Sequence, residues 1–489
     1  MSKISKQTTL DLLNYYKSNN LIKLENASKA LLKKFPNEIF IHNMLGISLV
    51  GQKKYIKAIG VFKNALKIFP KSAEILCNIG NVLNAQKKYT KAIEKYMQAI
   101  QIKPDYAEIY YNIANIFKEQ KKLEKSSVNY NKAIQIKPDY VDAYCNLGTI
   151  KKHQGKISEA FINYRKALKI DPGHKNSNIN LSYLNLSNEN FKEGWKGHEK
   201  RTEIAVLYEK FKLQNEKIWN GKRFQGKLLV IGEQGLGDHI LFGSMLNNLI
   251  GIHNDIVVMV EERLFSLFKR SFPQIFFIGH NKNIKNIRFD KYIFLGSLGK
   301  FFRNTPNSFL KSKSSFLIPD KKKVIDIKKL IGNRRAKKIG LSWRTSSLNN
   351  KNERSVPLKK LIPILKKHNF DFFDLQYGNT KKERSLVFDE SGNKIIHFDS
   401  LDYTNDIESL TALISECDLV ITIANFTTQL AGSLGVPTWV LLPYSCHWRW
   451  FLKRSNSLWY PSIQLFRQTK RSDWNTVIQN INESLNKLK

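Results

Sequence analysis

Residues 73–106 read AEILCNIGNVLNAQKKYTKAIEKYMQAIQIKPDY, and residues 107–140 read AEIYYNIANIFKEQKKLEKSSVNYNKAIQIKPDY. Laid one over the other they share a 34-residue frame, and it runs outward both ways: Pro36, Pro70, Pro104, Pro138 and Pro172 are 34 residues apart. In windows 39–72, 73–106, 107–140 and 141–174 a small residue recurs at the eighth place, as Gly46, Gly80, Ala114 and Gly148. Two more small positions keep step, at Ala58, Ala92, Ser126 and Ala160 and at Ala65, Ala99, Ala133 and Ala167. Small side chains in phase let two antiparallel helices approach closely, and Tyr89, Tyr96, Tyr110 and Tyr130 are expected to fill the space between neighbouring hairpins. Each proline closes a hairpin, because it cannot continue a helix and disfavours helix in the residue before it. A fixed period of this kind marks a tandem array of helical hairpins.

The frame resembles the tetratricopeptide repeat (TPR), with five units over residues 5–174 and a degenerate first copy at 5–38. The resemblance implies an α-helical solenoid that grips another polypeptide in its concave face. Repeats are scaffolds, so chemistry has to be sought elsewhere. Residues 175–208 begin like a sixth copy but lack the proline, and NFKEGWKGHEKR puts Trp195 on an expected helix. Residues 175–221 therefore read as capping and junction helices that weld the solenoid to the next domain.

A length of 489 residues leaves room for further domains beyond the array. No apolar stretch approaches a membrane span, and the N-terminus lacks the apolar core of a signal peptide, so a cytoplasmic protein is expected. Cys77, Cys145, Cys417 and Cys446 form no CxxC pair, which suggests neither a disulfide framework nor a zinc site. The net charge of +39 raises a nucleic-acid reading, but the lysines are spread through every segment and point to no specific nucleic acid. Weak attraction to an anionic membrane surface is the more natural consequence, and runs such as Lys321 to Lys323 read as solvated faces.

From about Lys227 the period changes to short β-branched runs alternating with helices: KLLVI, DIVVMV, QIFFI and KYIFL, then KKIGLSW, FDFFDLQ, KIIHF, DLVITIA and TWVLL. This alternation predicts two doubly wound α/β domains, separated by the polar stretch 311–336 and facing each other across a cleft. Three turns carry candidate chemistry. In GEQGLGDHI, Gly235 and Gly237 permit close backbone approach at a helix start. The order is GxxGxG rather than the GxGxxG of dinucleotide sites, and Asp238 would repel a pyrophosphate there. Asp238 is either a helix N-cap or a general base at the cleft edge, and His239 either assists it or packs. In LSWRTSSLNNKNERSVPL, Arg344, Lys351 and Arg354 follow a strand that ends at Trp343, as a phosphate-binding loop or as a solvated basic one. In ANFTT, Asn425, Thr427 and Thr428 offer polar groups at a helix start, for a diphosphate or simply for capping.

These turns, with DLQYG, the stretch CDLVITIANFTTQLAGSLGVPTWVLLPY and HWRWFLKRSNSLWYPSIQLFRQ, resemble the bacterial repeat-containing glycosyltransferases. That family is similar to the lipopolysaccharide heptosyltransferases and, in architecture, to the O-linked N-acetylglucosamine transferases. The resemblance implies a GT-B pair of Rossmann-like domains, acceptor-side at 222–330 and nucleotide-sugar-side at 331–489 with a terminal helix. It implies Asp238 as the base for the acceptor hydroxyl, on a protein or glycan, and Lys351 and Arg354 on the leaving diphosphate. Gln376 would lie near the base or sugar, with Gly235, Gly237, Trp343, Arg344, Asn425, Thr427, Thr428 and Gln429 completing the donor site. The implied reaction is inverting and metal-independent, with a nucleotide-diphosphate sugar as co-substrate and no cofactor; no DxD occurs in the sequence. Where that family often has Asp-Thr-Ser followed by Ala-His, this chain has Ala424, Asn425 and Phe426, then Thr428 and Gln429. The usual acid is absent and Gln429 cannot carry a histidine's charge, which keeps a catalytically silent TPR scaffold as the alternative.

Overall fold

The structure, a computed structural model, describes residues 4–233, 235–280, 287–310, 315–345 and 351–488, with the side chains of Lys351 and Asn352 outside that description. The chain forms two compact units, Met1–Ser177 and Asn178–Lys489. It is a TPR-like helical solenoid followed by a region of parallel sheets.

The first unit is five helical hairpins: Lys6–Lys17 with Leu21–Lys34, Ile39–Gly51 with Tyr55–Ile68, Ala73–Ala85 with Tyr89–Ile102, Ala107–Glu119 with Leu123–Ile136, and Val141–His153 with Ile157–Ile170. Every second helix ends two residues before its proline. The small eighth position is a slot for an aromatic ring from the partner helix. A Cβ on Gly46 would stand 2.1 Å from the Phe62 ring, one on Gly80 2.4 Å from Tyr96, and one on Gly148 2.7 Å from Tyr164. The sequence expectation for Tyr96 and Tyr130 is thereby corrected. Both rings are fully buried inside their own hairpins, with hydroxyls donating to Asn81 (2.7 Å) and Asn115 (2.5 Å), because the small residue opposite leaves the room there. Tyr89 does reach the next hairpin, donating to Glu119 at 2.7 Å. The turn between the two helices carries its own 34-residue signature, a left-handed residue at Asn19, Lys53, Lys87, Lys121 and Gly155.

Glu189 (φ 62°) continues that series. It joins helix Lys175–Ser187 to helix Phe191–His198, so the sixth hairpin forms without its proline. The second helix belongs to the second unit's core, with Trp195 and Phe191 buried beside Trp448, Trp459 and Phe451.

The second unit contains two wholly parallel sheets. The first has β1 (Leu228–Ile231), β2 (Ile256–Val260), β3 (Phe276–Gly279) and β4 (Lys291–Phe294) in the order β3-β2-β1-β4. The second has β5 (Lys338–Ser342), β6 (Asp371–Asp374), β7 (Ile395–Ile396), β8 (Leu419–Ile423), β9 (Thr438–Leu442) and β10 (Ile463–Arg467) in the order β10-β9-β8-β5-β6-β7. The strands read as continuous apolar runs because both faces are covered. Leu228 and Val230 face one core and Leu229 and Ile231 another, while Val420 and Val440 share the first core across to the second sheet. β10 is a strand the sequence reading left out. Part of the polar stretch 311–336 is helix Lys321–Ile331, in whose first turn Lys323 is not merely solvated but reaches Asp406 at 3.0 Å. Among the described residues, no helix is long and apolar enough to cross a membrane.

Candidate functional site

In a doubly wound sheet the chain reverses its direction of travel at one point, and the crevice beyond the strand ends there is where ligands bind. That point lies between β1 and β4 in the first sheet and between β5 and β8 in the second. The three glycine, basic and hydroxyl turns of the sequence lie just past the ends of β1, β5 and β8.

After β1 the chain turns at Gly232, where a Cβ would lie 2.1 Å from His239 Cε1 and 2.7 Å from the Met259 carbonyl. His239 is buried and packs against His280, ring centroids 5.0 Å apart. The N-cap of helix Leu236–Gly243 is Gly235, so the capping reading of Asp238 is corrected: it sits at the third helical position, its N–H bonded to Gly235 O at 2.8 Å. Its carboxylate pairs instead with Arg449, from the segment that follows β9.

After β5, Trp343 and Arg344 line a cavity of about 460 Å³, together with Glu353, Tyr444, Arg471 and Trp474. The Trp343 indole donates to Glu383 at 3.1 Å, and Arg344 reaches Glu383 at 3.1 Å and the Asn379 carbonyl at 2.8 Å. Residues 346–350 and the side chain of Lys351 lie outside the described residues, so the candidate loop is seen only from the short helix Lys351–Arg354 onward. Arg354 donates to the Ala424 carbonyl at 2.5 Å. Burial, and next the nearby charge of Arg449, push its pKa down, while Tyr377 and Asp238 act the other way. Gln376 is fully buried and does not line the cavity. Its Oε1 accepts from Ser342 Oγ and from the backbone N–H groups of Trp343 and Arg344, at 2.9–3.1 Å, so it braces the end of β5.

After β8 the polar groups serve the fold. Asn425 caps helix Phe426–Leu434, its Oδ1 accepting from Thr428 N, and its Nδ2 donates to Ser342 at 2.7 Å. Thr427 Oγ1 donates to Ser342 at 3.3 Å and Thr428 Oγ1 to the Ile423 carbonyl. Gln429 is buried, takes the Tyr460 hydroxyl at 2.7 Å, and lies 3.3 Å from where a Cβ on Gly237 would stand. That last contact brings the two helix starts together, and a side chain at position 237 would have to press Gln429 aside.

Asp238 from the first sheet and Arg354 and Arg449 from the second thus converge, with Gln429 packed beside them. Arg449 escaped the sequence reading because one arginine among 80 basic residues carries no mark. A buried pair behind the site did carry one. Arg201 stands in phase with Ala65, Ala99, Ala133 and Ala167, where the repeat demands a small residue. Its guanidinium donates to Glu233 Oε1 through Nε (3.0 Å) and Nη2 (2.5 Å) and to Ser297 at 3.0 Å. Burial works against the Arg201 charge, but Glu233 and Glu199 outweigh it and raise its pKa. Glu233 Oε1 also accepts Gly296 N–H at 3.1 Å, so the segment just past the sixth hairpin fixes the glycine turn to the end of β4.

Residues 80–120 and 114–155 match the family described as TPR repeat, and residues 141–174 match the tetratricopeptide repeat. Protein FlbA of Caulobacter vibrioides (strain ATCC 19089 / CIP 103742 / CB 15) is 30% identical over 302 residues, 58% of this chain and 50% of FlbA. The chain therefore spans about half the length of the curated relative it matches. A 58% share is more than the first unit can hold, so the match runs into the sheet-bearing unit. Among solved structures, MamA is 24% identical, covering 32% of this chain and 93% of MamA with a TM-score of 0.29. YrrB, described as a TPR protein with an unusual peptide-binding site, is 16% identical, covering 38% and 98% with a TM-score of 0.30. PilF of Pseudomonas aeruginosa is 14% identical, covering 42% and 90% with a TM-score of 0.34. TM-scores this low carry no argument about the chain as a whole.

Proposed function

We propose that the second unit is a GT-B type glycosyltransferase, taking a sugar from a nucleotide-diphosphate donor to an acceptor hydroxyl on a protein or glycan. The observation that carries this reading is the meeting of Asp238 with Arg354 and Arg449 beyond the ends of two doubly wound sheets. Asp238 takes the acceptor's proton, the freed oxygen attacks the anomeric carbon from the face opposite the diphosphate, and the bond to the diphosphate breaks with inversion. Arg354 and Arg449 meet the charge that develops on the leaving group, the role the family resemblance also gives to Lys351, and no metal is invoked. The adjoining cavity, with Trp343, Tyr444 and Trp474 beside Arg344, Arg471, Glu353 and Glu383, combines apolar walls with a few charged groups, the mixture that suits a nucleoside. Nucleotide sugars are made in the cytoplasm, the setting we propose for the protein.

The repeats supply the recognition arm for a protein partner. Along their first helices a series of amides is presented: Asn78 donates to Asn43 and Asn112 to Asn81, both at 3.0 Å, and Asn146 to Tyr111 at 3.0 Å. Side-chain amides of this kind can pair with the backbone of an extended peptide.

A second reading, a TPR scaffold with a silent α/β unit, is favoured by one observation: the polar groups of Asn425, Thr427, Thr428 and Gln429 are already used within the fold. Incubating the purified chain with a panel of nucleotide sugars and a lysate of its own cell, with mass spectrometry of the products, separates the two. Transfer from one donor, lowered about 10²–10⁴-fold by Asp238→Asn, is the expected result. No product and no thermal stabilisation by any donor, with Asp238→Asn behaving as the parent, leaves the scaffold.

A further inference from the structure

Arg449 and Arg354 are two guanidiniums near one carboxylate. Arg449 bonds Asp238, and its Nε donates to His447 Nδ1 at 3.1 Å, while Arg354 donates to a backbone carbonyl. Apart from Asp238, these contacts bring no carboxylate to either guanidinium. Neither partner of the Asp238–Arg449 pair is sealed in: 23% of the Asp238 side chain and 14% of that of Arg449 face solvent. The guanidinium is therefore within reach of a ligand, and a multiply charged anion, which offers it several oxygens, competes for it with advantage.

We propose that the pair is a latch: a diphosphate entering beside Arg354 draws the Arg449 guanidinium to itself and leaves Asp238 as an uncompensated carboxylate. Asp238 and the diphosphate then compete for one cation, and binding of the anionic ligand is coupled to exposure of the carboxylate. The consequence for catalysis rests on the reading of Asp238 as the acceptor's base, since the carboxylate oxygen that bonds Arg449 is not free to meet an acceptor hydroxyl. The donor, by taking the arginine, would switch on the base only when there is a sugar to transfer. The competition itself needs no sugar chemistry.

The coupling has a sign that a purely structural salt bridge lacks. Titration calorimetry of the full chain with inorganic pyrophosphate reads it directly. Asp238→Asn, which removes the competitor, should bind pyrophosphate more tightly than the parent, by about fivefold or more. Arg449→Ala should weaken binding about tenfold or more. In the double variant the gain from Asp238→Asn should vanish, because a bare change of nearby charge would persist in both backgrounds whereas competition for Arg449 cannot. Arg449→Lys keeps the charge without the planar fork, and serves should Arg449→Ala not fold; a diminished but present gain is expected in its background. Equal or weaker binding by Asp238→Asn, the same gain with and without Arg449, or no pyrophosphate binding by the parent overturns the latch. Coupled pyrophosphate binding without sugar transfer would remove the enzyme reading and leave the latch; transfer without coupling would do the reverse.

Discussion

Two residues of the sixth copy, 175–208, show how one repeat frame can carry opposite consequences. His198 stands in phase with Phe62, Tyr96, Tyr130 and Tyr164, and is fully buried among Trp195, Trp448, Tyr183 and Phe242. Neither ring nitrogen has a hydrogen-bond partner among the described residues, and burial, then the charges of Arg201 and Arg449, hold its pKa well below the usual value. Acidification through about pH 6.5 lets the unfolded chain take up a proton the folded one refuses. Stability should fall by up to about 1.4 kcal/mol per pH unit below that point. His198→Phe, the residue type the frame favours, should flatten this slope, as measured by urea unfolding at pH 7.5 and 5.5. Arg201→Ala also restores the frame, yet should cost about 3–5 kcal/mol, because burial already raises the Glu233 pKa and the carboxyl would be left in the interior without its cation. Both residues were legible as departures from a 34-residue pattern. Their partners were not, since Glu233 and Gly296 are brought together only by the pairing of β1 with β4.

At the scale of elements, the left-handed turn that joins each pair of helices is the part of the repeat least well served by its sequence. Lys53, Lys87 and Lys121 hold φ near 60°, a conformation costing a side-chain-bearing residue about 1–2 kcal/mol, where Gly155 pays nothing. Lys87→Gly should therefore stabilise the array by about 1 kcal/mol, and Gly155→Lys should destabilise it by a similar amount, read from denaturant midpoints. Gly80→Leu should be far worse, since its first side-chain atom already meets the Tyr96 ring at 2.4 Å. The repeat helices and nine of the ten strands announced themselves, the helices by phase and the strands by apolar runs. β10 did not, because Gln464 interrupts its apolar run and its neighbours Ser457, Pro461 and Gln468 read as loop. The hydroxyl turn after β8 was legible as a helix start; its use as a cap rather than a ligand site follows from Ser342, a residue of another strand.

For the molecule as a whole, the residues of the sixth hairpin tie the two sheets into one unit. The Trp195 indole donates to the Arg303 carbonyl at 2.7 Å and its ring lies against Gly299, both beyond β4, while Trp448 and Trp459, which follow β9, pack on its faces and edges. Arg454 binds Glu189 through two bonds of 2.7–2.8 Å, fixing the same segment from the second sheet. Trp195→Ala should lower the stability of the second unit by about 3–5 kcal/mol, visible as a downward shift of its calorimetric transition. The sequence alone determined the array, its period, its close-packed slots and the parallel character of the sheets, because these depend on residue spacing within a few helical turns or along single strands. Only the tertiary structure decided the site. Asp238 and Arg449 are 211 residues apart in sequence, and no periodicity links a lone carboxylate to a lone arginine until two sheets have folded and turned the same ends toward each other.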